Sequence, residues 1–378
     1  MVFKNFIVPM RDKPKIFSGD IPWTRIEDIQ GRYLHGSTSG RYVSEDTVKS
    51  MNLKVIPKDS IIVSVSATFG VVAIVSNDLI TNQTFIGLTP KPNYNIDFLY
   101  SFFKSSITRK KMRNESAGST IFYITRKNIE NMIGNFPSNE EQDKIGKFLK
   151  SLDTIIALHQ RKIHILDVMK KVLIQKILPK HLEKTPDIIF KNIESTWEES
   201  KAKNLFSPIT EKNQEDLPLL SISQEEGVIY RKDIGKNIQY DQTTLKNYKV
   251  VRPDNFIISL RSFQGGFELS KITGITSPAY TVFALKDEFK HDNEFWKTYF
   301  KTYKFIESLK TVTFGIRDGK SISYSEFSSL NLIYPSKKVE QKSIGLFFKK
   351  LDQVKATHES KILKIKSLKK AYLNNMFL

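Results

Sequence analysis

The chain has 378 residues, a length that predicts two or three domains of ordinary size. Lys and Arg number 59 and Asp and Glu number 40, so the formal net charge is +19, which favours a polyanionic partner such as nucleic acid or an anionic membrane surface. The absence of cysteine excludes disulfide frameworks, thiolate metal sites and thiol nucleophiles, and a hydrophobic fraction of 40% excludes global disorder.

The first 77 residues predict no signal peptide, and they favour buried strands over a membrane helix. Residues 1–15 lack the charged-then-apolar order and the small-residue cleavage site of a signal peptide, so we expect no secretion. An uncharged run over 60–77 just reaches the length of a membrane helix. Because Val and Ile dominate it and polar residues interrupt it, we interpret it as two buried strands that fold back at residues 67–70.

Two long helices are predicted over 141–178 and 340–377. Apolar residues of the first recur at alternating steps of four and three, which is the heptad pattern of a coiled coil, and the second repeats the first at a constant offset of 199 residues. Each would be about 55–60 Å long at 1.5 Å per residue. The matching polar interruptions of the two heptad seams are His159 with His358 and Lys170 with Lys369.

The segments ahead of the two helices repeat more weakly. Residues 57–64 resemble 253–259, residues 81–85 resemble 276–280, and residues 98–103 resemble 295–300. The chain therefore predicts two mixed modules that share a skeleton and differ in their surface residues. The predicted order is a first module over 1–137, a helix over 138–178, a linker over 179–196, a second module over 197–335 and a helix over 336–378.

The charge is unevenly distributed along the chain. It is +7 over 1–137, +3 over 138–178, +1 over 179–335 and +8 over 336–378. Since the second module is nearly neutral, attraction to phosphate alone cannot supply all of its affinity for a polyanion.

No catalytic motif stands out. The chain lacks a Pro-Pro pair, a phosphate-binding G-x-x-x-x-G-K-[ST] loop and paired His with metal-ligand spacing, so we expect no catalytic residue and no metal site. Two alternatives stay open. One is a Mg²⁺-dependent nuclease that uses Asp187, Glu199 and Lys201, and the other is a non-catalytic coiled-coil scaffold.

Several motifs resemble those of specificity subunits of type I restriction-modification systems. Residues 257–268, 277–280 and 315–323 look like the target-recognition domain of that family, and so does the Pro-led approach to each helix, at 137–142 and 335–341. The resemblance covers nearly the whole chain. It implies an α+β fold with two mixed α/β target-recognition domains, separated by two long antiparallel coiled-coil helices, in a pseudo-two-fold internal repeat.

The resemblance also implies partners. Each domain would read one half of a bipartite asymmetric site in double-stranded DNA, and the helices would hold two modification subunits that bind S-adenosylmethionine and methylate adenine. Restriction subunits, which are motors that use ATP and Mg²⁺, would add cleavage. This chain itself would bind no cofactor, insert into no membrane, and work in the cytoplasm of a bacterium or archaeon.

Candidate DNA-binding residues follow from the chemistry of readout. Arg reads guanine and Gln reads adenine when a rigid scaffold presents them to the groove. The alternative for each is a surface charge or a strand-end hydroxyl. In the second module the candidates are Arg261, Ser262, Gln264, Arg317 and Lys320, and in the first they are Ser66, Thr68, Thr120, Tyr123, Arg126 and Lys127. Arg109, Lys110 and Arg113 are also predicted to bind DNA, but as part of a basic, solvated helix end that contacts phosphate.

Two further expectations concern the helices and the N-terminus. Antiparallel pairing would bring His159 and His358 together, and such a polar seam pair fixes register. It would also place the modules at opposite ends, so that the helices set the half-site spacing. The second module has Trp197 ahead of the motif at 203–206, whereas the first begins at the matching Lys4-Asn5-Phe6 with no such lead.

Overall fold

The computed structural model describes residues 2–10, 12–65, 70–115, 124, 127–129, 136–177, 179, 186–188, 196–223, 227–234, 242–259, 266–312 and 322–377. The chain divides into two compact units. The first unit is Met1–Lys162 with His358–Leu378, and the second unit is Ile163–Thr357. Both long helices are divided between them, so each unit joins a globular part to a section of each helix.

The first unit contains a five-stranded sheet in the order β1-β8-β5-β6-β3 and a three-stranded sheet in the order β4-β2-β7. Its strands are β1 (Phe3–Ile7), β2 (Ile21–Thr24), β3 (Tyr33–Leu34), β4 (Tyr42–Val43), β5 (Ile61–Ser64), β6 (Val72–Val75), β7 (Ile80–Thr81) and β8 (Phe85–Pro90). Its helices are a 3-10 turn (Ile26–Asp28), α1 (Glu45–Ser50), α2 (Ile96–Lys104), α3 (Ser106–Asn114) and the first part of α4 (Asn139–Lys176).

The second unit contains a four-stranded sheet in the order β10-β17-β14-β15 and three strand pairs, β11-β12, β13-β16 and β18-β9. Its strands are β9 (Trp197–Lys201), β10 (Phe206–Pro208), β11 (Leu220–Ser223), β12 (Gly227–Tyr230), β13 (Lys249–Val251), β14 (Phe256–Ile258), β15 (Phe267–Leu269), β16 (Gly274–Thr276), β17 (Thr281–Leu285) and β18 (Asn331–Pro335). Its helices are α5 (Ala202–Leu205), 3-10 turns (Arg231–Ile234 and Gln242–Asn247), α6 (Asn293–Tyr299), α7 (Tyr303–Leu309), α8 (Tyr324–Ser328) and part of α9 (Lys338–Met376).

The predicted pair of buried strands is confirmed. β5 and β6 are antiparallel, and every residue of both is buried. The Ser64 amide donates to the Val71 carbonyl at 2.8 Å, where the hairpin turns. Among the described residues, none of the helices combines the length and the apolarity that a membrane span requires.

The two units repeat the same backbone at the start of this hairpin. Asp59 has a φ of 59° and Asp254 a φ of 67°, a conformation that is uncommon outside glycine. The Asp59 amide donates to the Val75 carbonyl, and the Asp254 amide donates to the Ser270 carbonyl, both at 2.9 Å. The weak sequence repeat therefore reflects equivalent strands at an offset of 195 residues.

The alignment of the two N-terminal strands was wrong by three residues. In strand register Phe3 pairs with Pro90, and Phe206 pairs with Leu285, so Phe3 and not Phe6 is the counterpart of Phe206. Both phenylalanines are buried, whereas Phe6 is half-buried. Burial fixes the register, because a shift along a strand changes which side chains enter the core.

Each long helix docks on its module through a glycine. A Cβ added to Gly146 would lie 2.8 Å from the Phe98 amide nitrogen, and one added to Gly345 would lie 2.7 Å from the Phe295 amide nitrogen. Only glycine allows such a close approach to the first turn of α2 or α6.

The same junction is bound by a glutamine in each unit. Gln142 Oε1 accepts from the Asn95 amide at 3.2 Å, and Gln341 Oε1 accepts from the Asp292 amide at 2.9 Å. Asn95 and Asp292 in turn cap α2 and α6 with their side chains. The Pro-led Glu-Gln motif thus fixes each helix to its module.

The helices pair antiparallel within each unit. In the first unit Asp153 contacts Lys369 and His159 contacts His358, so partner numbers fall as residue numbers rise. In the second unit Asp167 pairs with Lys355 at 2.8 Å and Lys170 pairs with Asp352. These contacts and the mixed α/β modules confirm the predicted fold class.

Candidate nucleic-acid interface

Most of the predicted DNA-binding side chains lie outside the described residues. This holds for Ser66, Thr68, Thr120, Tyr123, Arg126, Arg261, Ser262, Gln264, Arg317 and Lys320. The structure describes the remaining candidates of the first unit, which are Arg109, Lys110, Arg113 and Lys127, and it describes the two seam histidines.

Helix α3 presents a basic surface. It is capped by Ser105, whose side chain accepts from the Thr108 amide, and it buries Thr108 and Met112 against the module. Arg109, Lys110 and Arg113 are exposed. Basic side chains near a helix C-terminus interact favourably with the helix dipole, so this exposed cluster gives the C-terminal end of α3 a positively charged surface.

Arg109 brings α3 into contact with Gly70, at one end of the five-stranded sheet. A Cβ added to Gly70, which has a φ of 87°, would collide with Cδ of Arg109, so the arginine stem lies directly on the glycine backbone. Gly70 ends the β5–β6 turn in which Ser66 and Thr68 are predicted to contact DNA. The structure thus brings one predicted cation to the backbone beside that turn.

Lys127 lies near the C-terminal end of α3. It is exposed, and its neighbour Asn128 donates from Nδ2 to Glu115 Oε2 at 3.1 Å. Glu115 is the residue at which α3 ends. Lys127 is therefore held close to the basic end of this helix.

A polar groove lies at the same end of the five-stranded sheet as Gly70, and the sequence analysis did not predict it. The Val65 amide donates to the Thr84 carbonyl at 2.9 Å, which places Thr84 beside the β5–β6 turn. β2 runs parallel to β7, and Trp23 and Thr24 pair with Ile80 and Thr81. The residues that follow these two parallel strands therefore meet at one edge of the small sheet.

The groove has a volume of about 380 Å³ and is lined by residues from both strand ends and the N-terminal segment: Met10, Asp12, Lys13, Trp23, Arg25, Ile26, Glu27, Asn82, Gln83 and Thr84. The Arg25 guanidinium lies over the Trp23 ring, 5.0 Å from its centroid. Residues 81–85 and 276–280 repeat each other in sequence but differ in their side chains, and this difference could have indicated a recognition site here.

A buried charge network joins the first module to the helix pair. Arg32 binds Asp97 and Asp153, each at 2.8 Å, and its side chain is only 7% exposed. Lys150 also binds Asp97, at 3.0 Å, and Lys369 binds Asp153. Such a network orients the module on the helices, because each buried carboxylate needs its cationic partners.

Burial also changes titration beside this network. The Arg32 guanidinium stacks on Tyr100, with 4.2 Å to the ring centroid, and burial raises the pKa of Tyr100 to about 12. Lys104 lines an adjacent cavity of about 570 Å³, and burial lowers the pKa of its ammonium. No described carboxylate pairs with Lys104.

The second unit has an ion pair at Lys301, the counterpart of Lys104, for which the described residues of the first unit supply no such partner. Lys301 binds the buried carboxylate of Glu268. Burial raises the pKa of Glu268 and lowers that of Lys301, and the opposite charge of each partner acts against these shifts. Lys349 binds Glu294 at 2.6 Å, which repeats the Lys150–Asp97 contact of the first unit.

The predicted seam contact is confirmed. His159 Nδ1 and His358 Nδ1 are 2.8 Å apart, so one ring donates and the other accepts. Desolvation lowers the pKa of His358, and the charges of His159, Lys162 and Lys361 lower it further. Simultaneous protonation of both rings would replace this hydrogen bond with repulsion.

The nuclease alternative has no assembled site in the part of the chain that is described. No three His, Asp or Glu side chains there are grouped to hold a metal ion. Glu199 and Lys201 lie on β9, whose backbone pairs with β18.

Comparisons with known proteins agree with this architecture. Residues 9–166 match the family described as type I restriction modification DNA specificity domain. Over 152 residues the chain is 32% identical to the type I restriction enzyme MjaIX specificity subunit of Methanocaldococcus jannaschii. This alignment covers 40% of this chain and 35% of that protein. It is 35% identical over 106 residues to the EcoprrI specificity subunit of Escherichia coli, which covers 26% of this chain and 25% of that one.

The fold as a whole has a solved counterpart. A type I restriction-modification S subunit from M. genitalium matches with a TM-score of 0.58 and 14% identity, covering 100% of this chain and 94% of that one. The matched part spans about a third or less of the length of the curated relatives named above. The class is therefore a protein of two mixed α/β modules with two long helices, in which residues 9–166 are similar to the type I restriction modification DNA specificity domain. Its resemblance to specificity subunits of type I restriction-modification systems is confirmed.

Proposed function

We propose that the chain is the non-catalytic, DNA-binding specificity subunit of a type I restriction-modification enzyme. Each target-recognition domain reads one half of a bipartite asymmetric site in the cytoplasm of a bacterium or archaeon. The observation that carries this proposal is the repeated backbone whose strand ends bear different side chains. One scaffold with two sets of contact residues is suited to two different half-sites.

The partners in this proposal are two methyltransferase subunits and the restriction subunits. Helix α4 supports a docking role, because it exposes a second row of apolar side chains outside its heptad seam: Ile155, Leu158, Ile165, Met169 and Val172. An exposed apolar row of this kind marks an interaction surface. S-adenosylmethionine would bind to the methyltransferase subunits, and ATP and Mg²⁺ to the motor subunits.

Mapping methylated adenines tests the proposal. A strain that expresses the methyltransferase subunit with this chain should methylate one bipartite sequence, and a strain without the chain should not. The isolated chain should cut no DNA with Mg²⁺. Cutting would favour the nuclease alternative, and methylation that ignores the chain would favour the scaffold.

Arg261→Ala should relax one half-site. If Arg261 reads a guanine, its loss should reduce cognate binding by about 1–3 kcal/mol and leave random DNA and the other half-site unaffected. Competition binding with the mapped site measures this. Arg252→Ala is the matched control, since Arg252 precedes β14 and pairs with Glu211 at 2.7 Å, at the other end of that strand. Equal losses on cognate and random DNA would show a phosphate contact instead.

A further inference from the structure

The groove beside β7 and the α3 helix differ in charge. In the groove, Lys13 and Arg25 are balanced by Asp12 and Glu27, and Arg25 contacts Glu27 at 3.3 Å. Helix α3 carries four basic residues over 109–113 and no acidic one. A cluster of cations attracts phosphate whatever the base sequence, whereas a side-chain amide, which carries both a donor and an acceptor, can read a base edge. The groove is therefore suited to base recognition and α3 to holding the backbone.

Gln83 is the side chain of this groove whose amide is available. It is exposed, and no described residue forms a hydrogen bond with its side chain. Its neighbour Asn82 uses Oδ1 to accept from Thr84 Oγ1 at 2.5 Å, and Thr84 is bound to Val65 through the backbone. Gln83 thus projects from a segment that its neighbours fix beside the β5–β6 turn.

The second unit lacks an amide at the equivalent place. At the offset of 195 residues, Ser277, Pro278 and Ala279 stand where the first unit has Asn82, Gln83 and Thr84. Ser277 Oγ accepts from the Ala279 amide at 3.3 Å, so its hydroxyl supports the local turn. The backbone is repeated here and the amide side chain is not, as expected of a residue that distinguishes two half-sites.

We propose that Gln83 reads an adenine in the half-site bound by the first unit. Its carboxamide oxygen would accept from adenine N6 and its amide nitrogen would donate to adenine N7, which is the bidentate pattern that Gln and Asn form in the major groove. Asn82 and Thr84 are the residues that position it. This inference rests on the proposed function and adds a specificity residue to it.

A scan with 7-deazaadenine tests this contact. The full chain with its methyltransferase subunits is bound to duplexes of the mapped site in which each adenine in turn lacks N7. For the wild type, we expect one position in one half-site to lower affinity by about 5- to 150-fold. Gln83→Ala should show a similar loss on unmodified DNA and no further loss at that position.

Asn93→Ala is the matched control. Asn93 is also an exposed amide, but it follows the C-terminal end of β8, whereas Gln83 precedes its N-terminal end. It should bind like the wild type. If Gln83→Ala keeps wild-type affinity and the full deazaadenine effect while the complex still prefers its site, the Gln83 contact is wrong and the proposed function stands. If the wild-type complex prefers no site, the proposed function itself fails.

Discussion

Lys104 in the first unit and Lys301 in the second stand at equivalent positions in different surroundings. Lys104 is the last residue of α2 and Lys301 lies two residues after α6, and each precedes a residue that caps the next helix, Ser105 or Thr302. Burial lowers the pKa of both ammonium groups. Lys301 has a buried carboxylate as its partner, and Lys104 faces a cavity instead.

In strand register, the position of Glu268 corresponds to Ala73, because Glu268 pairs with Ile257 and Ala73 pairs with Ile62. The two units thus keep the backbone and the helix junction while their charged interiors differ. The junction contacts are under the same geometric constraint in both units, and the other side chains are free to diverge.

Lys301→Met should have the largest effect on stability. It would leave the Glu268 carboxylate buried and unpaired, and we expect a loss of about 3 kcal/mol, at the lower end for a buried pair because the Lys301 side chain is 28% exposed. Burial already raises the pKa of Glu268, so the variant should regain stability as pH falls and Glu268 takes up a proton. Denaturant unfolding at pH 8 and pH 5 measures both effects.

Two controls sharpen that comparison. Glu268→Leu combined with Lys301→Met should recover most of the loss, since no unpaired charge remains. Lys104→Met, the same change in the first unit, should either increase stability or reduce it by less than about 1 kcal/mol. The reason is that it removes a partly desolvated cation that has no described ion-pair partner. Equal losses at both lysines would contradict the assigned difference between the units.

Gly146→Ala and Gly345→Ala should each destabilise by about 1–3 kcal/mol, because the new methyl group would meet backbone at 2.8 Å and 2.7 Å. Similar losses in the two variants are the result expected of equivalent junctions. Thermal unfolding of each variant provides the measurement. A large loss at one glycine and none at the other would show that the two helices dock differently.

The smallest effect is expected at the seam. The pKa of His358 is lowered in the folded state, so the unfolded chain binds protons more readily and stability falls as pH falls through about 6.5. Replacing both His159 and His358 by Leu should remove this dependence and stabilise the helix pair, but permit slipped or self-associated forms. Unfolding against pH, with light scattering for mass, checks both. An unchanged pH profile would exclude the pair as its source.

Periodicity predicted the parts of the fold that are local in sequence. The helices, the buried hairpin and the facing histidines follow from repeated spacing, and the helix observed at Asn139–Lys176 lies within two residues of the segment predicted. The network of Arg32 with Asp97 and Asp153 could not be predicted, since its members are 65 and 121 residues apart. The Gln83 groove depends on a parallel strand pairing that no spacing reveals. The register error at Phe3 arose because burial, not motif similarity, sets strand position.

Module exchange tests the central claim most directly. Residues 1–137 are replaced by the corresponding module of a relative with a different specificity, and the helices and the second module are kept. Methylated adenines are then mapped in cells that express the chimera with the methyltransferase subunit proposed above as its partner. If each module recognises its own half-site independently of the other, one half of the site should change while the other half is retained. A site that changes in both halves, or in neither, would contradict the account.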